Sequence, residues 1–169
     1  MKVLVAFASK HGSTREVAQA IADELRAQGV ETDLHEASNV GEIAGYDGVI
    51  LGSAVYMGRW LEQARELVAR HAVELAERPV WLFSSGPIGG KPLPEEAVDV
   101  SEIMETIRAR AHQVLAGKLD KHKLGFGERA VVLALRVPEG DFRDWELTRQ
   151  WARGIATELH ALVGRHPDG

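Results

Sequence analysis

A doubly wound α/β fold built on a five-stranded parallel sheet is predicted by three observations. Short apolar runs recur along the chain, most of them unbroken. Most close on small polar residues or glycine, and stretches of helical periodicity separate them. A strand that returns in parallel needs a crossover helix, and right-handed crossovers cover both faces of the sheet.

The elements follow in order. Val3-Leu4-Val5-Ala6-Phe7-Ala8 reads as a first strand buried on both faces. Beyond Gly12, a helix beginning at Ser13 carries Val17, Ala20, Ile21, Ala22 and Leu25 until Gly29 stops it. Residues 30–35 alternate Val30, Thr32 and Leu34 with Glu31, Asp33 and His35, the pattern of a wetter edge strand. The third strand, 47–53, is apolar and ends at Gly52-Ser53; strands two and three flank the first. Leu61, Ala64, Leu67, Val68 and Leu75 share one face of a helix over 61–75, which ends before Pro79. A fourth strand spans 79–85 with Trp81 in the core. A Gly/Pro-rich connection leads to a short helix over 101–110 and a fifth strand over 112–117. Residues 119–140 read as an insertion with a helix near 128–135. In the last helix, capped by Asp141 or Asp144, Trp145, Thr148, Trp151, Ala152, Ile155 and Leu159 form a stripe. One domain over 1–164 is expected, with a frayed tail at 165–169.

Composition narrows the function classes. Charged residues are 27% of the chain and the formal charge is -5, with Lys and Arg scattered, so neither a nucleic-acid backbone nor an anionic lipid surface is an expected partner. The chain has no cysteine, which removes disulfides, thiolate metal sites and thiol nucleophiles, and fits a reducing compartment such as the cytoplasm. The apolar stretch at 3–8 is too short for a signal peptide, and no run approaches the length of a spanning helix. His112, His122, His160 and His166 show no metal-ligand spacing, so no metal site and no role for them is expected.

Ligands of open α/β sheets bind beyond the carboxyl ends of the central strands, where crossovers diverge. Residues 9–14, 52–60 and 84–90 meet there in the predicted topology. The first segment lies between a buried strand and a helix start, and its hydroxyls and backbone N–H groups suit a phosphate. Taken alone, a plain cap by Ser13 or Thr14 and a turn at Gly12 explain it equally well. The dinucleotide pattern G-x-G-x-x-G and the triphosphate loop G-x-x-x-x-G-K-[ST] are both missing here. A phosphoacceptor domain of the same topology would place carboxylates after the first strand and an Asp closing the third; this chain has Ala8-Ser9-Lys10 and Ser53.

Ser9-x-x-Gly12-x-Thr14, Gly52-Ser53-Ala54-Val55-Tyr56-Met57-Gly58 and Ser84-Ser85-Gly86-Pro87 together resemble the phosphate loop and two ring-flanking loops of the flavodoxin family, over nearly the whole chain. Arg59-Trp60, the run 66–71, Ala116-Gly117 and Asp144-Trp145 extend the likeness toward the branch containing the menaquinone-dependent protoporphyrinogen dehydrogenases, which are FMN enzymes. The resemblance implies a flavodoxin-like sheet of order 2-1-3-4-5 with FMN as cofactor. It implies that Ser9, His11, Gly12, Ser13 and Thr14 hold the phosphate, that Ser53, Ala54, Val55, Tyr56, Met57 and Gly58 run beside the isoalloxazine, and that Ser84, Ser85, Gly86 and Pro87 line its other edge. Tyr56 is the leading stacking residue and Trp60 the reserve, although a large aromatic at the start of a helix more often serves the core.

The chemistry of such a site belongs to the flavin, so no side chain is assigned a catalytic role. Arg59 and Lys91, with no carboxylate before Glu95 in the ring loops, predict a less negative potential than a carrier flavodoxin's. The expected function is an FMN-dependent oxidoreductase that oxidises a small, porphyrinogen-like substrate and passes electrons to a quinone or another acceptor. The alternatives are an electron carrier between redox partner proteins and a cofactor-free regulatory or interaction domain. The insertion at 119–140 is shorter and more mixed in charge than in the protoporphyrinogen branch, which bears on substrate and acceptor.

Overall fold

The computed structural model describes residues 1–86, 100–116, 118–119, 140–141 and 143–164. Its strands are β1 (Lys2–Ala8), β2 (Glu31–Glu36), β3 (Gly48–Tyr56), β4 (Arg59–Trp60), β5 (Val80–Gly86), β6 (Ala111–Ala116), β7 (Lys118–Leu119) and β8 (Gly140–Asp141). The helices are α1 (Ser13–Ala27), α2 (Glu62–Arg70), α3 (Ala72–Ala76), α4 (Ser101–Ile107) and α5 (Trp145–Gly164).

Five strands pair in parallel in the order β2-β1-β3-β5-β6, with two-residue β4 added antiparallel to the end of β3. Counting the parallel strands alone, this is the expected 2-1-3-4-5 arrangement. Because β-strand side chains alternate between faces, the sheet divides its core in two. Val3, Val5, Phe7, Ile50, Trp81, Phe83 and Leu115 pack against α1 and α5. Leu4, Ala6, Val49, Leu51, Val80, Leu82 and Val114 pack against α2, α3 and α4.

The helix ends follow local chemistry. Gly29, with φ 81, closes α1: its N–H donates to Arg26 O (3.0 Å) and that of Val30 to Leu25 O (3.0 Å), a Schellman ending with Val30 and Leu25 both in the core. Asp144, one of the two predicted caps, starts α5 by accepting the Leu147 N–H at its Oδ1 (3.0 Å). The predicted stripe of α5 is buried at Thr148, Ala152, Ile155 and Leu159, with Trp145 and Trp151 packed at its margin.

Several boundaries differ from the sequence reading. The single helix expected over 61–75 is divided at His71, whose φ of -121 leaves the helical region, but Ala64, Leu67, Val68 and Leu75 are all buried as predicted. Arg108 adopts a left-handed conformation (φ 53) and ends α4 three residues before the predicted 110. β6 starts and ends one residue earlier than expected. β3 runs three residues past Ser53, which changes the site described below. Lys118 pairs with Asp141 and Leu119 with Gly140, so the two ends of the predicted insertion meet. The helix expected near 128–135 and the tail at 165–169 lie outside the described residues. Among the described residues no helix is long and apolar enough to cross a membrane, and no group of three or more His, Asp or Glu is placed to hold a metal ion.

Candidate cofactor site

The carboxyl ends of β1, β3 and β5 bring the predicted segments to one end of the sheet. After β1 the chain turns on Ser9, whose Oγ accepts the Gly12 N–H at 3.0 Å. Gly12 is the N-cap of α1, in the left-handed region at φ 88, and its carbonyl accepts the first helical hydrogen bond from Glu16 (3.2 Å). A glycine cap brings no side chain to the amides of the first turn, and the helix dipole adds partial positive charge there. A Cβ at Gly12 would meet nothing within 4 Å, so the backbone faces open space. Thr14 is buried, while Ser9, His11 and Ser13 are half-buried along the loop.

The carboxylates near this helix start are matched by arginines. Glu36 pairs with Arg15, whose guanidinium also lies 5.6 Å from the Phe7 ring centre. Glu16 pairs with Arg143. Arg143 is held in turn by both oxygens of Asp141 (2.8 and 2.6 Å) and lies 4.6 Å from the Trp145 ring centre. Hydrogen bonding to Asp141, and then to Glu16, pushes the Arg143 guanidinium further above its usual range, so its charge is permanent. Each of the two acids nearest the helix start, Glu16 and Glu36, thus has an arginine partner.

The second segment is a hairpin rather than an open loop. β3 continues to Tyr56, Met57 and Gly58 take positive φ (53 and 77), and β4 pairs back with Tyr56 opposite Arg59 and Val55 opposite Trp60. Positive φ at both central residues is the two-residue primed turn, whose twist matches that of the strands it joins. Tyr56 is 42% and Met57 66% exposed at the tip, and the Lys10 ammonium of the first loop sits 5.3 Å from the Tyr56 ring centre. Ala54 and Val55 are half-buried along the last turn of the strand, as is Gly58 in the turn.

At the base of the hairpin the polar groups turn inward. Ser53 is fully buried; its Oγ accepts the Leu61 N–H (3.0 Å) and donates to Ala54 O (2.8 Å). Trp60 is 2% exposed, and its Nε1–H donates to Ser84 Oγ at 2.7 Å. Ser84, in register with Ser53 on the neighbouring strand, is also fully buried and shares a second 2.7 Å hydrogen bond with His112 Nε2. Ser85 is buried and, with Gly86, ends β5. Pro87, Lys91 and Glu95 lie outside the described residues.

The structure thus brings 9–14, 53–58 and 84–86 together and shows how the base of the hairpin is built. Trp60 is a core residue that cannot stack on a ring from its place. Ser53 and Ser84 have their hydroxyls committed inside the protein. Gly52 is required by packing, because a Cβ there would lie 2.0 Å from Phe83 Cζ. His112, given no role from sequence, is bonded to Ser84, and no spacing signal marked it; Arg143 was missed because Glu16, the helix-start acid it pairs with, lies 127 residues away. A backbone anion cradle beside an exposed aromatic, with lysine and arginine near both, fits a phosphate-bearing planar group.

Comparison with known proteins identifies the family. A family model described as a flavodoxin domain matches residues 4–145. The protoporphyrinogen IX dehydrogenase [quinone] of Escherichia coli (strain K12) is 26% identical over 172 residues, covering 92% of this chain and 95% of that protein. Among solved structures, a flavodoxin of Streptococcus pneumoniae TIGR4 superposes with a TM-score of 0.61 at 18% identity, covering 94% of this chain and 99% of that one. Oxidised flavodoxin 2 of Bacillus cereus gives 0.55 at 26% identity, covering 80% and 99%. With the sheet order, the loop placement and the family match in agreement, the chain belongs to the flavodoxin domain family.

Proposed function

We propose that this protein is an FMN-dependent oxidoreductase that oxidises a small porphyrinogen-like substrate and delivers the electrons to a quinone or a similar acceptor. The observation that carries the reading is the pairing, at one sheet end, of a glycine-capped helix start with a hairpin presenting Tyr56 and Met57. The likeness to a protoporphyrinogen dehydrogenase over nearly the full length of both chains supports the substrate class.

FMN supplies reversible two-electron chemistry when bound. In this reading the backbone of 12–14 and the hydroxyls of Ser9, Ser13 and Thr14 bind its phosphate, with His11 beside them. Tyr56 and Met57 cover a ring face, and Ala54, Val55, Gly58 and the loop from Ser85 through Gly86 to Pro87 border it. Ser53 and Ser84 serve from below, as anchors of the hairpin. Lys10 and Arg59 put positive charge near the ring, which favours the reduced, more negative cofactor and a less negative potential than a carrier's.

The test is a flavin titration followed by a redox assay. The purified protein is expected to quench FMN fluorescence and then to turn over porphyrinogen with a quinone. A protein that ignores FMN overturns the reading in favour of a cofactor-free domain. Binding without small-molecule turnover, but with fast reduction by a flavodoxin reductase, assigns it as a carrier.

A further inference from the structure

The hairpin that carries Tyr56 and Met57 is anchored by a buried chain of hydrogen bonds crossing three strands. Trp60 closes β4, and an indole N–H can only donate, so Ser84 Oγ accepts at 2.7 Å. The same oxygen lies 2.7 Å from His112 Nε2 on β6, the edge strand of the sheet. Trp60 and Ser84 are buried, His112 is half-buried, and Ser53 beside Ser84 holds the next backbone N–H, that of Leu61. The base of the hairpin thus rests on two adjacent serines, and one of them is bonded on its far side to a histidine.

We propose that His112 is a positioning residue for the ring side of the cofactor site. Its Nε2 accepts a hydrogen bond from the Ser84 hydroxyl, which turns the serine lone pair toward Trp60 and fixes the hairpin tip. Each bond in such a chain polarises the next, and a buried serine deprived of one partner loses the orientation that serves the other. The role rests on the FMN reading above. It is assigned to the ring side because Trp60 pairs with Val55 at the base of the hairpin that carries Tyr56 and Met57.

The test compares FMN with riboflavin, which lacks the phosphate, by fluorescence-quenching titration of His112→Leu, His112→Gln, Trp60→Phe and the Leu/Phe double variant. Melting temperatures of the flavin-free proteins are measured alongside. His112→Leu is expected to weaken both flavins by the same factor, about 5- to 10-fold, the worth of one buried hydrogen bond. His112→Gln, whose carbonyl can accept the Ser84 proton, should recover affinity to within about threefold of the wild type on the same scale. Trp60→Phe removes the donor at the other end and should match the Leu variant. The double variant should be little worse than either single one, because the two share one chain.

Unchanged affinities in a His112→Leu protein of lowered melting temperature overturn the proposal and leave a purely structural bond. Loss of FMN but not riboflavin affinity overturns it by moving the effect to the phosphate side. Fully additive losses in the double variant show that the two residues act separately, and also overturn it. Trp60→Phe with unaltered flavin affinity does the same if His112→Leu fails to fold. A wild type that binds neither flavin overturns the site reading itself, and the positioning role falls with it.

Discussion

The proposed phosphate side and ring side of the site begin alike, with a glycine near the end of a strand, and are built on opposite principles. At Gly12 the backbone faces open space and takes a left-handed turn; at Gly52 the place of a side chain is filled by the Phe83 ring. The first loop works through main-chain groups that a helix start leaves over. The second works through side chains, Ser53, Trp60, Ser84 and His112, whose polar atoms bond to the protein itself. A site of this kind is therefore sensitive to added charge on one side and to added volume on the other.

The largest effect expected is on the packed side. Gly52→Ala places a methyl 2.0 Å from Phe83 Cζ, and the ring is fully buried, edge-on to Trp151 at 6.1 Å. Overpacking of this order should destabilise the protein by about 3 kcal/mol in chemical denaturation. An unchanged midpoint would mean that the Phe83 ring moves freely, and would erase the contrast. On the open side, Gly12→Asp should leave the fold within about 1 kcal/mol, because Asp is a good N-cap offset by the strain of positive φ. FMN should bind about 100-fold more weakly through repulsion of its phosphate, with riboflavin nearly unaffected. Equal losses for the two flavins would refute the phosphate assignment.

A smaller effect concerns the acids beside the cradle. Arg143→Ala leaves Glu16 unneutralised in the first turn of α1, and FMN affinity should fall about fivefold, with most of the loss recovered by adding Glu16→Gln. Salt should shrink the difference, and a loss that persists in the double variant would show that Arg143 acts by another route. The smallest effect lies away from both loops, where the Tyr46 hydroxyl donates to Asp33 at 2.7 Å. Burial and then the Asp33 carboxylate push the Tyr46 phenol up to about 12 from 10.0. The folded protein thus holds this proton longer than the unfolded chain. The stability it contributes is complete below pH 10 and is lost as pH rises toward 12. Tyr46→Phe should flatten that alkaline decline and leave FMN affinity unchanged.

The strands and helices were legible because burial imposes periodicity. Continuous apolar runs such as Val3 to Ala8 mark strands covered on both faces, and Gly29 and Asp144 mark helix ends by chemistry local to a few residues. The place of the first loop was legible for the same reason, since strand, Gly12 and helix start are contiguous. The ring side was not. That β3 runs on to Tyr56 and folds back depends on Met57 accepting positive φ, which a turn rule expects of Asn, Asp or Gly. That Trp60 is buried depends on a serine 24 residues away, and that serine on a histidine 28 further along. Contacts of this span leave no repeat or spacing in the chain, so residues expected in a loop, Ser53 to Tyr56, belong to a strand.

The primed turn at Met57 and Gly58 has one more consequence, for the thermodynamics of recognition. Backbone ordering costs about 1–2 kcal/mol per residue, and in a floppy loop a ligand bears that cost on arrival. Here the tip has already surrendered its freedom during folding, so a flat molecule settling on Tyr56 and Met57 meets a preformed surface. Calorimetry of riboflavin binding should accordingly show a heat-capacity change set by the apolar area covered, without the large entropic penalty of a segment that orders as it binds.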